Sequence, residues 1–170
     1  PAWLDKYGKE TAFFCTNDAQ TEPLLKQIAK YGGIFVEPDL PSPLMGYPGA
    51  LGIDLSAEAG DFPAIMKKVE QAVIDAGGKG RMGTWSYSFG WSTVCALAEY
   101  GKRITEGEAK LYRLKDLWAC YDKYTPGAQW MGSEYLDMAT QVKMRNFLLV
   151  YQGYMDITKV QVPEKFMTIK

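Results

Sequence analysis

Residues 11–18 read Thr-Ala-Phe-Phe-Cys-Thr-Asn-Asp, and residues 19–32 follow at once with helical punctuation. The first run is short, apolar and dense in aromatic and β-favouring side chains, which predicts a buried strand. Asn17 and Asp18 stop it, because such polar residues favour turns and helix starts. Asp18 or Thr21 can then cap a helix, Pro23 suits a first helical turn, and Leu24, Leu25, Ile28 and Ala29 form one apolar stripe. Gly32 and Gly33 close that helix, and residues 34–37, Ile-Phe-Val-Glu, predict the next strand. A strand–helix–strand unit makes its two strands parallel neighbours, since the helix returns the chain to the edge it left. In such sheets ligands bind beyond the carboxyl ends of the strands. Thr16, Asn17 and Asp18 lie at that end of the first strand.

The chain has 170 residues, the size of about one domain, and 47% hydrophobic residues supply a sizeable core. A net charge of -1 argues against nucleic acid, which calls for a basic face. No apolar run approaches membrane-spanning length, and no signal peptide is visible. Residues 1–10 read as the tail of a helix ending at Gly8, so an upstream segment is expected to be missing. Cys15, Cys95 and Cys120 are scattered, and Cys15 and Cys95 read as small core residues. The absence of histidine removes Ser-His-Asp and Cys-His nucleophile systems and imidazole zinc sites. Five Trp and eleven Tyr fill cores but also build walls for flat or sugar-like ligands.

Residues 38–52 hold four prolines and three glycines, which predicts an irregular loop. Its apolar members, Leu40, Leu44, Met45, Tyr47 and Leu51, argue for order, either as a packed connection or as a ligand-lining loop. Asp61 caps a predicted helix with a core stripe of Phe62, Ile65, Met66, Val69 and Val73, closed by Gly77 and Gly78. Residues 78–83 match G-x-G-x-x-G, but they follow a helix and precede a strand, the reverse of a dinucleotide site. A third strand over 81–86 leads into a helix running through Trp91, Val94, Cys95, Ala98 and Ile104, with Ser86 or Ser88 as its cap. Residues 106–123 predict a surface helix, 124–130 a turn, and 132–137 an irregular segment or short helix. Residues 144–154 read equally as helix or strand, and the tail from Val160 as a strand or a loose end.

No phosphate loop, nucleophile elbow or metal cage is present in the sequence, and no catalytic role or cofactor is assigned. Asn17, Asp18 and Ser86 offer hydrogen-bonding groups, while Trp85, Tyr87 and Tyr47 offer flat apolar surface. That mixture suits non-covalent recognition of a small polar or ring-shaped molecule.

The apolar strand, Asn17-Asp18, helix and Gly32 resemble a segment in the C-terminal lobe of type I periplasmic binding proteins, found also in effector domains of lac-repressor-type regulators. Residues 3–17, Pro41-Ser-Pro43 with residues 46–52, and Gly80-Arg-Met-Gly-Thr-Trp85 are similar to an uncharacterised bacterial lipoprotein family with this fold. The resemblance implies an upstream N-terminal lobe and lipoprotein signal, an extracytoplasmic or periplasmic location, and a solute-binding role in import with a membrane transporter as partner. In the sugar-binding relatives the Asp after Asn contacts ligand, and here that position is Asp18. The Pro-Ser-Pro loop replaces a short Gly-rich turn of those relatives.

The expectation is therefore an α/β three-layer lobe with a mainly parallel sheet, spanning residues 1–170 as the C-terminal half of a two-lobed binding protein. Its ligand contacts would be Asn17, Asp18, Gln20, Ser42, Tyr47, Trp85, Ser86 and Tyr87, with no metal and no nucleic acid bound by this lobe. The alternatives are a regulator's effector-binding domain and, less favoured, an enzyme on the same scaffold.

Overall fold

The computed structural model describes residues 1–39, 42–153 and 155–160, with backbone alone for 145–147. The chain divides into two compact units. One is Pro1–Ser88 with the described part of Tyr154–Lys170, and the other is Phe89–Gly153.

The first unit opens with α1 (Ala2–Tyr7), which ends as expected at Gly8, whose φ of 85° is accessible to glycine at little cost. β1 (Ala12–Phe13) leads through an exposed turn into α2 (Asp18–Tyr31) and then β2 (Ile34–Phe35). The cap of α2 is Asn17, not Asp18 or Thr21: its Oδ1 accepts from the Ala19 N–H at 3.0 Å. Pro23 consequently lies inside the helix, beyond the first turn where it was expected. β1 and β2 pair in parallel, Ala12 with Ile34 and Phe13 with Phe35. Phe35 also bridges Met82 in parallel, its N–H donating to the Arg81 carbonyl at 2.8 Å. β3 (Gly83–Thr84) continues from Met82 and pairs antiparallel with β6 (Met155–Asp156).

Residues 38–52 are more ordered than their composition suggests, because α3 (Tyr47–Leu51) sits among them. Pro48 occupies its first turn, where a missing N–H costs nothing. Gly46, at φ 80°, lets α3 approach α2 closely: a Cβ there would stand 2.7 Å from Thr21 Cγ2. α4 (Phe62–Asp75) follows, capped as predicted by Asp61, whose Oδ1 accepts from Ala64 N–H at 3.0 Å. Residues 78–83 form the turn between α4 and β3, with the Gly78 carbonyl accepting from Arg81 and Met82 N–H groups at 2.9 and 3.0 Å. The core of this unit gathers Leu25 and Ile28 of α2, Phe35 of β2, and Met66, Val69 and Val73 of α4. Each such side chain contributes about 1.5–3 kcal/mol by leaving water.

The second unit contains α5 (Phe89–Thr105), α6 (Leu114–Tyr124), β4 (Trp130–Asp137) and β5 (Val142–Gln152). α6 begins later than the predicted 106–123 helix. Asp116, buried, holds the preceding turn by accepting from the Lys110 N–H at 2.8 Å and the Arg113 Nε at 2.7 Å. β4 and β5 form an antiparallel hairpin with a register break between Glu134 and Tyr135. Its turn is built by Asp137, which accepts from Ala139 N–H at 2.9 Å and Thr140 Oγ1 at 2.7 Å. Residues 125–127 turn as expected, whereas 132–137, expected to be irregular or a short helix, lie in strand β4, and 144–154 resolves to strand up to Gln152. The buried cluster is Ala96, Leu117, Cys120 and Tyr121, with Trp118, Trp130, Leu148 and Val150 packed against it. Trp130 Nε1 donates to Thr125 Oγ1 at 2.7 Å, and the Trp130 and Tyr121 rings lie 4.3 Å apart.

The fold class is α/β, but the sheets are not mainly parallel. Among the described residues two of the three paired ladders, β3–β6 and β4–β5, are antiparallel. A short turn between β4 and β5 allows no other direction. β3 and β6 are separated in sequence by the whole second unit, and they pair antiparallel. Among the described residues no helix is long and apolar enough to cross a membrane. The tail after Val160 and residues Leu40 and Pro41 of the loop lie outside the described residues.

Candidate functional site

Because β1, β2 and the Met82 segment run in one direction, their carboxyl ends share a rim. β1 delivers Thr16, Asn17 and Asp18 to it, β2 delivers 36–39, and β3 delivers Trp85 and Ser86. Specific bonds tie these segments together. Val36 N–H donates to the Phe13 carbonyl at 2.9 Å. Trp85 Nε1 donates to the Pro38 carbonyl at 2.9 Å, and Thr84 Oγ1 to the Pro43 carbonyl at 3.0 Å. The turns at Asn17-Asp18 and Trp85-Tyr87 therefore lie on the same side of the strands, as the strand–helix–strand pattern implies.

The eight residues singled out from sequence divide into two groups. Asn17, Asp18 and Gln20 are exposed, Ser42 and Trp85 are half-buried, and all five are open to a ligand to some degree. Asn17 Oδ1 is used by its cap bond, which leaves its amide NH2. Ser42 starts the turn into α3, its carbonyl accepting from Met45 N–H at 3.4 Å. Tyr47, Ser86 and Tyr87 instead face inward. Tyr47 has no exposed surface, donates its hydroxyl to the Gly83 carbonyl at 2.7 Å and sets its ring edge-on to Phe35. The unforeseen helix α3 is what rolls it into the core. Ser86 is 1% exposed and its Oγ donates to Met155 Sδ at 3.4 Å. Tyr87 is 5% exposed. These three support the rim from below and do not form its surface.

Sequence alone marks Glu37 only as the end of the second strand, and the structure brings it forward. It ends the Ile-Phe-Val-Glu run, is half-buried, and burial pushes its carboxyl above the usual carboxylate range. No described residue gives it a hydrogen bond or an ion pair. A carboxylate that loses water without a partner is costly, so its position on the rim is a feature a ligand could relieve. The sequence signal was a lone acid closing an apolar run just before Pro38. With Asp18 and Asp39 it makes the rim rich in acceptors. Cys15, below the rim, is buried, and burial first, then the Asp39 charge, raise its thiol against the lowering contact with Thr21. A protonated thiol is a poor nucleophile. Among the described residues no group of three or more His, Cys, Asp or Glu side chains could hold a metal ion.

The inward setting of Tyr87 has a pH signature. Burial pushes its phenol up to about 12. In the unfolded chain a tyrosine ionises near 10. The folded state thus keeps a proton that the unfolded state has lost between pH 10 and 12, and stability falls across that window. Spectrophotometric titration should show a tyrosine ionising well above 10 that is absent from Tyr87→Phe. A Tyr87 that titrates near 10 would contradict its burial.

Residues 1–83 match the family described as "Protein of unknown function (DUF3798)", and residues 94–169 match a second family. Over 80 residues the chain is 39% identical to an uncharacterized protein of Treponema pallidum (strain Nichols), covering 47% of this chain and 35% of that protein. In structure it is similar to a candidate transcriptional regulator from Clostridium difficile 630, with a TM-score of 0.71 and 19% identity. That likeness covers 91% of this chain and 43% of the other, and at this identity it concerns the fold alone. The chain thus spans about a third of the curated relative it matches and less than half of the solved structure.

Proposed function

We propose that this chain is one lobe of a non-enzymatic binding protein that closes with a second lobe over a small polar or ring-containing ligand. The reading rests on one observation: three parallel strand ends converge on a rim bearing exposed Asn17, Asp18 and Gln20, the Trp85 indole and the Glu37 carboxyl, which no described residue pairs. Contacts from both lobes would favour the closed state. In this reading the intact protein is an extracytoplasmic solute-binding component of an import system, held as a lipoprotein or free in the periplasm, with a membrane transporter as partner. A type I periplasmic-binding-protein-like lobe is the finer fold that goes with it.

A second reading is favoured by the likeness in fold to the Clostridium difficile candidate regulator. The same lobe would then sense an effector within a transcriptional regulator, and DNA contact would belong to another part of the protein. The two readings share the rim and differ in what the rest of the protein does. An enzyme on this scaffold is the least favoured reading.

The test is native mass spectrometry of the intact protein for a co-purified small molecule, followed by titration with it. Asp18→Ala and Trp85→Ala should each weaken binding by about 1–3 kcal/mol, roughly five- to 150-fold. Unchanged affinity in both variants would remove the rim from recognition. Conversion of the bound molecule would replace the binding role with catalysis.

A further inference from the structure

We infer that the second unit carries its own binding groove, for an amphipathic organic cation: an apolar chain or ring ending in an ammonium group. This proposal does not depend on the rim of the first unit. A hollow of about 270 Å³ is walled by Leu97, Leu111, Leu114, Leu117 and Leu148 and by the ring of Tyr100. A neighbouring hollow of about 530 Å³ shares Leu97, Leu117 and Leu148, so the apolar groove continues along α5 toward Phe89. Leu97 and Leu111 are 50% and 58% exposed at its mouth, an arrangement that a folded chain leaves uncovered at a cost unless something seats there.

Two features give the occupant a sign of charge. Among the described residues Glu134 is the only charged one lining the first hollow, half-buried on β4 opposite Leu148 at the register break. No described residue gives it a hydrogen bond or ion pair. Two cations of the neighbouring segments are paired with acids of their own: Arg113 with Asp116 at 2.7 Å and Arg103 with Glu108 at 3.7 Å. A carboxylate against an apolar wall favours an ammonium and disfavours an anion. Tyr112, on the lip, has a φ of 63°, a strained setting for a bulky side chain, and its exposed ring is held there by the turn that Asp116 anchors. Tyr100 spends its hydroxyl on the Lys110 carbonyl at 2.8 Å, and it too lines the groove. Aromatic faces beside a carboxylate form a cation-selective wall.

The experiment is calorimetric titration of the full 170-residue chain with octylammonium, octanol and octanoate at neutral pH and low salt. Saturable binding is expected, with octylammonium about tenfold or more tighter than octanoate, the size of one charge-assisted contact. Glu134→Gln should bring octylammonium down to octanol while leaving octanol unchanged. Leu97→Trp, at a half-exposed site where folding is little disturbed, should weaken all three by filling the groove, with melting curves confirming an intact fold. Equal affinities for the three probes, non-saturable binding, or no response to Glu134→Gln would overturn the proposal. So would sedimentation showing that a second copy of the chain occupies the groove and leaves when Leu97 is changed.

Discussion

Tyr47→Ala should cost the first unit about 3–5 kcal/mol, the range for removing a buried ring. The side chain has no exposed surface, and its ring meets Phe35 edge-on with centroids 6.2 Å apart. Its hydroxyl donates to the Gly83 carbonyl at 2.7 Å, at the head of a strand only two residues long. Alanine therefore removes packing, an aromatic pair and a hydrogen bond that helps fix β3. Tyr47→Phe keeps the first two and leaves the buried carbonyl short of a partner, at about 1–3 kcal/mol. Urea unfolding of both variants separates the contributions. The same pair also decides between a core role and a ligand-lining role for this residue. A variant that melts like the parent but loses ligand would return Tyr47 to the rim surface.

Gly132→Val should destabilise the second unit by about 3 kcal/mol, the upper end of overpacking. A Cβ at this position would stand 2.3 Å from the Leu149 carbonyl oxygen and 3.0 Å from the Trp118 ring. A flexible side-chain tip could move aside, but the oxygen belongs to the backbone of the paired strand. Relief requires β4 and β5 to separate or the hairpin to lift from α6, where Trp118, Trp130 and Tyr121 pack. Near-ultraviolet dichroism follows those rings directly, and its signal should weaken together with the melting temperature. A variant that keeps both would mean that β4 does not lie against Trp118.

Much of the first unit was legible in sequence because its signals are local. The α4 stripe ending in Val73, the Asp61 cap and the Gly8 stop each need only neighbouring residues, and each appears where expected. The strands were read too long. Apolar runs such as 81–86 extend past the ladder because residues beyond Thr84 are buried by packing and not by pairing. The hairpin was missed for a conformational reason. Its turn places Gln141 at φ 58°, where glycine or asparagine would have been the recognisable signal. The rim followed from topology alone, since a parallel strand–helix–strand unit dictates which ends meet. Which side chains face outward on it did not follow. The inward turn of Tyr47 depends on α3, and the partial burial of Glu37 depends on what packs around β2.

The pairing of β3 with β6 sets an order of events during synthesis. Gly83 emerges from the ribosome long before its partner Asp156, because the whole of Phe89–Gly153 is translated between them. Until then the open edge of β3 waits, and the core lacks Ile157, whose N–H donates to the Met82 carbonyl at 3.0 Å. The later unit is contiguous and rich in neighbours close in sequence, the condition for rapid condensation, whereas the earlier one must close a long loop. The half of the chain made first is thus the half that matures last, and a nascent chain stalled before Met155 would leave its hydrophobic centre unsealed.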